Sequence, residues 1–526
     1  MSCAYHCLVA CWDGDMITVI WEAMSAVSEP RVLMIILITA IYGTFIGAIP
    51  GLTATMAVAL MVPITFFLSD VEAVAAIVTT VTCSIFAGDI PATLVRIPGT
   101  PSSAAYTADA YALTLRGQHE RALRTALLCS TLGGLFGVSV LAVAAPQLAR
   151  VASRFTSYEY FWLYVLGLTC AAIVSDEDRL KGALALLMGI LFSCVGLGTD
   201  FSVPRLTFGI DEMITGINFI PAMIGLFGLS EVLRNVLNMR RGDRPESIAE
   251  TKSATAAAGR SPADEPGVVA FTFRRIGPLL RSSTIGATIG MLPGAGADIA
   301  AWIAYAISKR FSRHPEQYGK GSIEGLADAT GANNAALGSA WIPALVFGIP
   351  GDSITAIAIG VLLMKNITPG PTIFDAGQHP QQAILVYSIF ITFMLANLLL
   401  VPVGLVAIRI GSVLVRIPRR ILLPAIVLFS IVGSFAMYGS YFDVWVMLGM
   451  GLLGLILERY RVPLGPVVLG IILGSRVEHM FIQCITKSSS PVAFFSSWIS
   501  VGLGVASVVL WLGPAVLAYR CKTKAV

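Results

Sequence analysis

Apolar runs of about 17 to 25 residues follow one another along nearly the whole chain, each long enough to cross a hydrocarbon core of about 30 Å as a helix. Polar positions fall mainly between these runs, and proline and glycine interrupt the runs at recurring places. Ile97-Pro98-Gly99-Thr100 returns as Ile349-Pro350-Gly351-Asp352, and each copy follows an Ile-Pro-Ala, at Ile90-Pro91-Ala92 and Ile342-Pro343-Ala344. A second pair, Ile46-Gly47-Ala48-Ile49-Pro50-Gly51 and Ile289-Gly290-Met291-Leu292-Pro293-Gly294, is likewise separated by roughly 250 residues. Proline removes a helix hydrogen bond and glycine relaxes the backbone. The pattern therefore predicts helices broken at four places in a chain built from a duplicated half.

Lysine and arginine cluster on the cytoplasmic side of short membrane loops. The basic segments Arg116 to Arg124, Arg234 to Arg281, Lys309 to Lys320, Arg416 to Arg420, Arg459 to Arg461 and Arg520 to Lys524 are expected inside. Loops 69–72, 199–203, 366–380 and 435–443 carry neither residue and are expected outside, although this arrangement also places Arg150 and Arg154 outside. Segment 73–115 then runs inward and segment 323–365 outward, while 32–68 and 276–308 form re-entrant hairpins from opposite faces. The expected fold is an all-α polytopic membrane protein with inverted-topology repeats, Pro-Gly-broken helices and re-entrant hairpins. Interrupted helices in inverted repeats are the hallmark of a secondary transporter whose substrate and coupling ion sit at the breaks. The expected organisation is an N-terminal segment over 1–30, a first membrane repeat over 31–238, a cytoplasmic linker over 239–275, a second repeat over 276–475, and a C-terminal span and tail over 476–526. About nine ordinary spans accompany the broken elements and hairpins, among them 381–408, 421–439, 444–458, 463–475 and 490–515.

Composition fixes the compartment. The 526 residues are 56% hydrophobic and only 13% charged, against roughly 25% charged in soluble domains, and mean hydropathy is +0.80. The alternating pattern of an outer-membrane barrel is absent. A net charge of +4 follows the positive-inside bias and marks no nucleic-acid surface. Six of nine cysteines lie in or beside apolar runs without paired spacing and read as small core residues. Cys3, Cys7, Cys11 and His6 have helical spacing, but they precede the membrane pattern that starts after Met16 and read as an upstream extension rather than a metal centre. No cleavable signal peptide is expected, because the first residues lack a basic start and an apolar run. Neither a metal nor a cofactor is expected.

Chemistry must come from polar groups inside the apolar runs, where an unsatisfied one costs several kcal/mol. Thr53, Thr55, Asp89, Thr100, Ser102, Ser103 and Thr107 surround the first breaks; Asp298, Asn333, Asn334, Asp352, Ser353 and Thr355 surround the second. A Pro-Gly ends one half-helix, and the Thr, Ser or Asp behind it is expected to open the next as its N-cap. Such an N-terminus suits a carboxylate, while freed carbonyls and side-chain oxygens suit a hard cation such as Na⁺. Asp89, Asp298 and Asp352 are the candidate residues for cation coupling; Asp298 and Asp352 could equally serve only as caps. Gly449-Met450-Gly451-Leu452-Leu453-Gly454 satisfies GxGxxG but lies in an apolar run and reads as close helix packing. The absence of a P-loop means that any transport is driven by an ion gradient or by a separate subunit.

Pro50-Gly51-Leu52-Thr53-Ala54-Thr55-Met56, Ile97-Pro98-Gly99-Thr100-Pro101, Asn333-Asn334-Ala335, Gly348-Ile349-Pro350-Gly351 and Pro369-Gly370-Pro371 closely resemble the large transmembrane permease subunit, the TctA family, of the tripartite tricarboxylate transporters. The resemblance runs from about residue 30 to 500. It implies a bacterial inner-membrane permease working with a small four-helix membrane subunit (TctB-like) and a periplasmic solute-binding protein (TctC-like). It implies uptake of a citrate-like tricarboxylate, a dicarboxylate or an aromatic acid, coupled to Na⁺ or H⁺. By motif, Thr53, Thr55, Gly99, Thr100, Gly294, Asn333, Asn334, Gly351 and Ser353 are expected to line the substrate site, with Ser102 beside them.

Three stretches depart from the family pattern. Asp109-Ala110-Tyr111-Ala112 stands where Asp-Gly-Tyr-Pro is usual, Leu326 to Gly331 replaces a Pro/Glu-rich stretch, and Asp352 follows the second Pro-Gly where a small residue is common. The resemblance therefore does not name the acid. Two alternatives from other classes are a passive channel and a membrane-embedded enzyme or assembly factor acting on a lipid-soluble substrate. Paired inverted breaks favour alternating access over an open pore, and His6, His119, His314, His379 and His479 do not gather into an interior catalytic cluster.

Overall fold

In the computed structural model, which describes residues 14–50, 52–174, 179–198, 203–240, 267–294, 296–415, 419–488 and 490–524, the chain is almost wholly helical. Seven helices among the described residues are long and apolar enough to cross a bilayer. The protein is thus an all-α, multi-pass membrane protein. Helices α1 (Gly14–Val27), α2 (Pro30–Gly47), α3 (Ala54–Thr65), α4 (Asp70–Ala87), α5 (Asp89–Val95), α6 (Thr107–Leu115) and α7 (His119–Ala152) open the chain. Then come α8 (Ser157–Val174), α9 (Arg179–Ser193), α10 (Phe219–Met223), a π-helical turn over Ile224–Leu229, α11 (Ser230–Arg240) and α12 (Val268–Arg274). The second set is α13 (Ile276–Gly290), α14 (Gly296–Phe311), α15 (Ile323–Ser339), α16 (Trp341–Phe347), α17 (Ser353–Met364) and α18 (Pro380–Leu414). The chain closes with α19 (Arg419–Tyr438), α20 (Tyr441–Arg459), α21 (Leu464–Lys487) and α22 (Trp498–Lys524).

Prolines decide where the two central helices split. Pro91 and Pro343 have no amide for the carbonyls of Ala87 and Ser339, four residues back, and α4 and α15 end at those two residues. One further turn, α5 or α16, then closes on a left-handed residue, Arg96 at φ 57° or Gly348 at φ 68°. The next amide returns to the proline carbonyl, Ile97 to Pro91 at 3.3 Å and Ile349 to Pro343 at 3.2 Å. Each bond spans six residues, one more than the 6→1 bond of a Schellman motif, and closes the end of a terminated helix.

Small residues let these two helices sit at the centre. Almost every residue of α4 and α15 is buried. Gly43 and Gly47 bring α2 onto the backbone of Thr80 and Ser84, and Gly286 and Gly290 bring α13 onto Ala332 and Ala336 in the same way. Without lipid-excluding hydrophobic force between helices, such close approach is a main source of membrane packing. Helix α7, from the first half, lies on α15 through Gly133 and Gly137 against Gly331 and Ala335, while α18, from the second half, packs on α4. The halves interlock.

The chain between 241 and 266, most of the expected linker, lies outside the described residues, as do Cys3, His6, Cys7 and Cys11. Of the remainder of that linker, residues 239–240 end α11 and Val268–Arg274 forms α12, which packs against α7. Within the GxGxxG run, Gly451 and Gly454 press on Leu229 and Ser230 next to the π turn. That contact is helix packing, as the apolar context predicts.

Candidate functional site

A cavity of about 570 Å³ lies where several helices begin. Its wall includes Thr53, Ala54 and Thr55 at the start of α3, Asp352, Ser353 and Ile354 at the start of α17, and Pro463, Leu464 and Gly465 at the start of α21. Pro101 and Ser102, ahead of a 3₁₀ turn, and Ala297, at the start of α14, join them. The volume falls in the range of small-molecule sites, roughly 300 to 1,000 Å³. Each helix start contributes unpaired amides and the positive end of its dipole, so their convergence favours an anion.

Local chemistry sets each wall. Thr53 Oγ1 accepts the Met56 amide at 3.2 Å and caps α3. Asp352 caps α17, its Oδ1 accepting the Thr355 amide at 2.7 Å and the Thr355 hydroxyl at 2.8 Å, while its own amide donates to Thr355 Oγ1 at 2.9 Å. Thr100 behaves differently from the expected N-cap. Its hydroxyl lies 2.8 Å from Ser102 Oγ and accepts the Ser103 amide at 3.1 Å, while the Thr100 amide donates to Ser103 Oγ at 3.1 Å. These bonds hold residues 100–103 in a turn, and α6 starts only at Thr107. Short hydroxyl side chains compete with helix by bonding their own backbone, and here that competition wins.

Of the sequence-predicted residues, Thr53, Thr55, Thr100, Ser102, Asn333, Asp352 and Ser353 meet on this wall. Asn333 is 1% exposed, and its Oδ1 has no hydrogen-bond partner among the described residues. Asn334 points elsewhere, its amide reaching the Thr330 carbonyl at 3.4 Å. Gly99 and Gly351 sit just behind the wall and allow close backbone approach to Gly88 and Ala340. Gly294 supports the second break by donating its amide to the Gly351 carbonyl at 2.9 Å, at φ 80° where glycine is favoured. Asp89 is buried off the cavity and accepts the Tyr106 hydroxyl at 2.5 Å. Asp298 falls in α14, and its side chain lies outside the described residues. Among the described residues no group of three or more His, Cys, Asp or Glu could hold a metal ion.

One wall was not expected. Glu231, Arg234, Glu458 and Arg461 also border the cavity. Arg234 pairs with Glu231 on its own helix and stands 3.5 Å from Glu458 of α20. Asn235 Nδ2 donates to Glu231 Oε1 at 3.0 Å. In the sequence these residues look like loop-edge charges that set orientation. The π turn is the signal that could have found them, since such turns favour functional sites; it precedes Glu231 and carries Phe227 to the same cavity.

The model of the family described as "Tripartite tricarboxylate transporter TctA family" matches residues 33–469. An Agrobacterium vitis protein described as an uncharacterized 52.8 kDa protein in the TAR-I ttuC' 3' region is 34% identical over 485 residues, 91% of this chain and 93% of its own length. A second protein of that organism, described as an uncharacterized protein in the TAR-II ttuC' 3' region, is 34% identical over 239 residues, 45% of this chain and 97% of its own length. No solved structure matches. The family match covers both duplicated breaks and the cavity between them, and the chain belongs to the TctA family of tripartite tricarboxylate transporters, which are transporters and not enzymes.

Proposed function

We propose that this chain imports a carboxylate, a citrate-like tricarboxylate, a dicarboxylate or an aromatic acid, by symport with Na⁺ or H⁺ in a bacterial inner membrane. A periplasmic solute-binding protein (TctC-like) delivers the substrate, and a small four-helix membrane subunit (TctB-like) completes the complex. The observation that carries this reading is the convergence of three helix N-termini with Asn333, whose buried Oδ1 lacks a partner, on one cavity. A substrate carboxylate would take the amides of Thr55, Ser353 and Gly465 and the hydroxyls of Thr100 and Ser102. Hydroxyl groups on the substrate would satisfy Asn333.

Alternating access fits the duplicated breaks. In this reading the repeats have inverted topology, and the halves 31–238 and 276–475 rock about the cavity. Of the two expected coupling carboxylates whose side chains are described, Asp352 is on the wall and Asp89 is not, and Asp352 acts there mainly by capping α17. The test is accumulation of labelled citrate, dicarboxylates and aromatic acids by cells carrying the complete complex, with and without Na⁺. Asn333→Ala is expected to lower accumulation about a hundredfold, the loss of a buried hydrogen-bonding group at roughly 3 kcal/mol, at unchanged membrane level. Normal accumulation by this variant would remove Asn333 from the site.

A further inference from the structure

Two carboxylates share one guanidinium on the cavity wall. Arg234 is paired to Glu231, which also holds the Asn235 amide, so Glu231 is fully engaged. Glu458 reaches the same guanidinium only at 3.5 Å, and its buried Oε2 has no hydrogen-bond partner among the described residues. With both acids ionised the trio carries a net negative charge facing the space where an anion would bind. Arg461, also on the wall and held in the left-handed region at φ 54°, makes no ion pair with a described residue. Neutralising Glu458 would turn this wall from balanced to net positive.

From this geometry we infer that Glu458 is the proton-coupling group of the transporter: it takes up a proton as the substrate carboxylate enters and releases it when the carboxylate leaves. The inference rests on the carboxylate reading above and names the ion. A proton fits better than Na⁺ here. A hard cation needs several oxygen ligands, whereas the guanidinium between these two carboxylates repels a metal ion and already occupies their shared face. The proton goes onto the Glu458 carboxylate, whose Oε2 makes no hydrogen bond to a described residue and stands 3.5 Å from Arg234 Nη1. The balance of charge is simple: one proton and one carboxylate arrive together, and Arg234 stays with Glu231.

Among the described residues, the charged groups that bear on Glu458 are few. Helix α11 presents Arg234 and Glu231; the end of α20 and the turn after it bring Arg459 and Arg461; and Lys181 of α9 donates to the Tyr460 carbonyl at 2.9 Å. Across the cavity stands Asp352, already capped by Thr355. The described part of α19, which also packs on α20, adds Ser430 and Ser434 but no titratable side chain.

The experiment measures citrate, succinate and benzoate binding to the purified complex, with its small membrane subunit, across a range of pH and with or without Na⁺. The substrate's own carboxyls titrate equally in every variant, so the quantity of interest is the difference between wild type and Glu458→Gln. For the wild type, affinity should fall roughly tenfold more per pH unit above the Glu458 titration than for Glu458→Gln, and Na⁺ should change neither. Glu458→Asp should keep the extra dependence and shift its midpoint, which a merely structural role would not do. An identical pH slope in wild type and Glu458→Gln, an unshifted Glu458→Asp midpoint, or a requirement for Na⁺ that Glu458→Gln removes would each overturn the proton assignment. If none of the acids binds the wild-type complex at any pH, the carboxylate reading itself fails, and the proton inference with it.

Discussion

The two Ile-Pro-Gly breaks are alike up to the glycine and differ beyond it. Upstream, both helices split four residues before a proline, make one more turn and close through a left-handed residue onto the proline carbonyl. Downstream, Thr100, Ser102 and Ser103 tie themselves into a neutral hydroxyl turn, whereas Asp352 and Thr355 form a charged capping box that starts α17 at once. The scaffold is duplicated and the chemistry is not. One break thus offers hydroxyls to the cavity and the other offers a helix end with its carboxylate already committed. An anion between them meets an asymmetric site, which suits a substrate with chemically distinct ends.

The largest test of that likeness is the glycine itself. A Cβ on Gly99 would overlap the backbone of Gly88, which has no side chain to move aside. A Cβ on Gly351 would meet Ala340 Cβ at 2.9 Å and its carbonyl at 3.0 Å, atoms also fixed to the backbone but overlapped less deeply than at Gly99. Gly99→Ala should therefore cost about 3 kcal/mol and Gly351→Ala about 1 kcal/mol, read as thermal unfolding and folded yield in detergent. Equal losses would mean that the two breaks are held with the same tolerance. The next effect concerns what lies beyond the glycine. Asp352→Ala removes an N-cap and a charge at a helix start, about 1.5 kcal/mol together, while Asp352→Asn keeps the cap and most of the stability. If both variants unfold alike, the charge and not the hydrogen bond sets α17.

Much of this arrangement is legible in the residues because proline and glycine act locally. Pro63, Pro146, Pro402 and Pro424 stand alone inside continuous helices, whereas Pro91 and Pro343 are each followed by a Pro-Gly and split theirs, so the repeated pairing marks the breaks without tertiary information. Polar residues inside apolar runs were equally visible, and Thr53, Asn333 and Ser353 do reach one cavity. Asp89 stood out for the same reason, but Tyr106, from a segment past the break, lies against it. Thr100 was expected to cap a helix; three hydroxyls so close together find each other and the local backbone first. Least legible were Glu231, Arg234 and Glu458. Their charges sit at the edges of apolar runs, where positive-inside logic explains them without further role, and only the packing of α20 beside α11 joins them. The inverted orientation of the repeats stays an inference from loop charges, since it depends on the membrane and not on helix packing.

The smallest effect concerns the left-handed position upstream of each Ile-Pro-Gly, Arg96 in the first break and Gly348 in the second. Gly348 adopts its left-handed conformation without a Cβ, whereas Arg96 does so with a full, exposed side chain that makes no described hydrogen bond or ion pair. The left-handed region costs an L-residue about 1 to 2 kcal/mol, and glycine gives back part of that through its greater freedom in the unfolded chain. Arg96→Gly should then stabilise the protein by about 0.5 kcal/mol. Gly348→Ala, whose new Cβ would find only ordinary contacts near Pro369 and Arg476, should destabilise it by about 1 kcal/mol. Thermal unfolding of both variants in the same detergent measures the pair. A loss on Arg96→Gly would show that the arginine contributes more through its side chain than its backbone costs, and that the first break is fixed by something the second does not share.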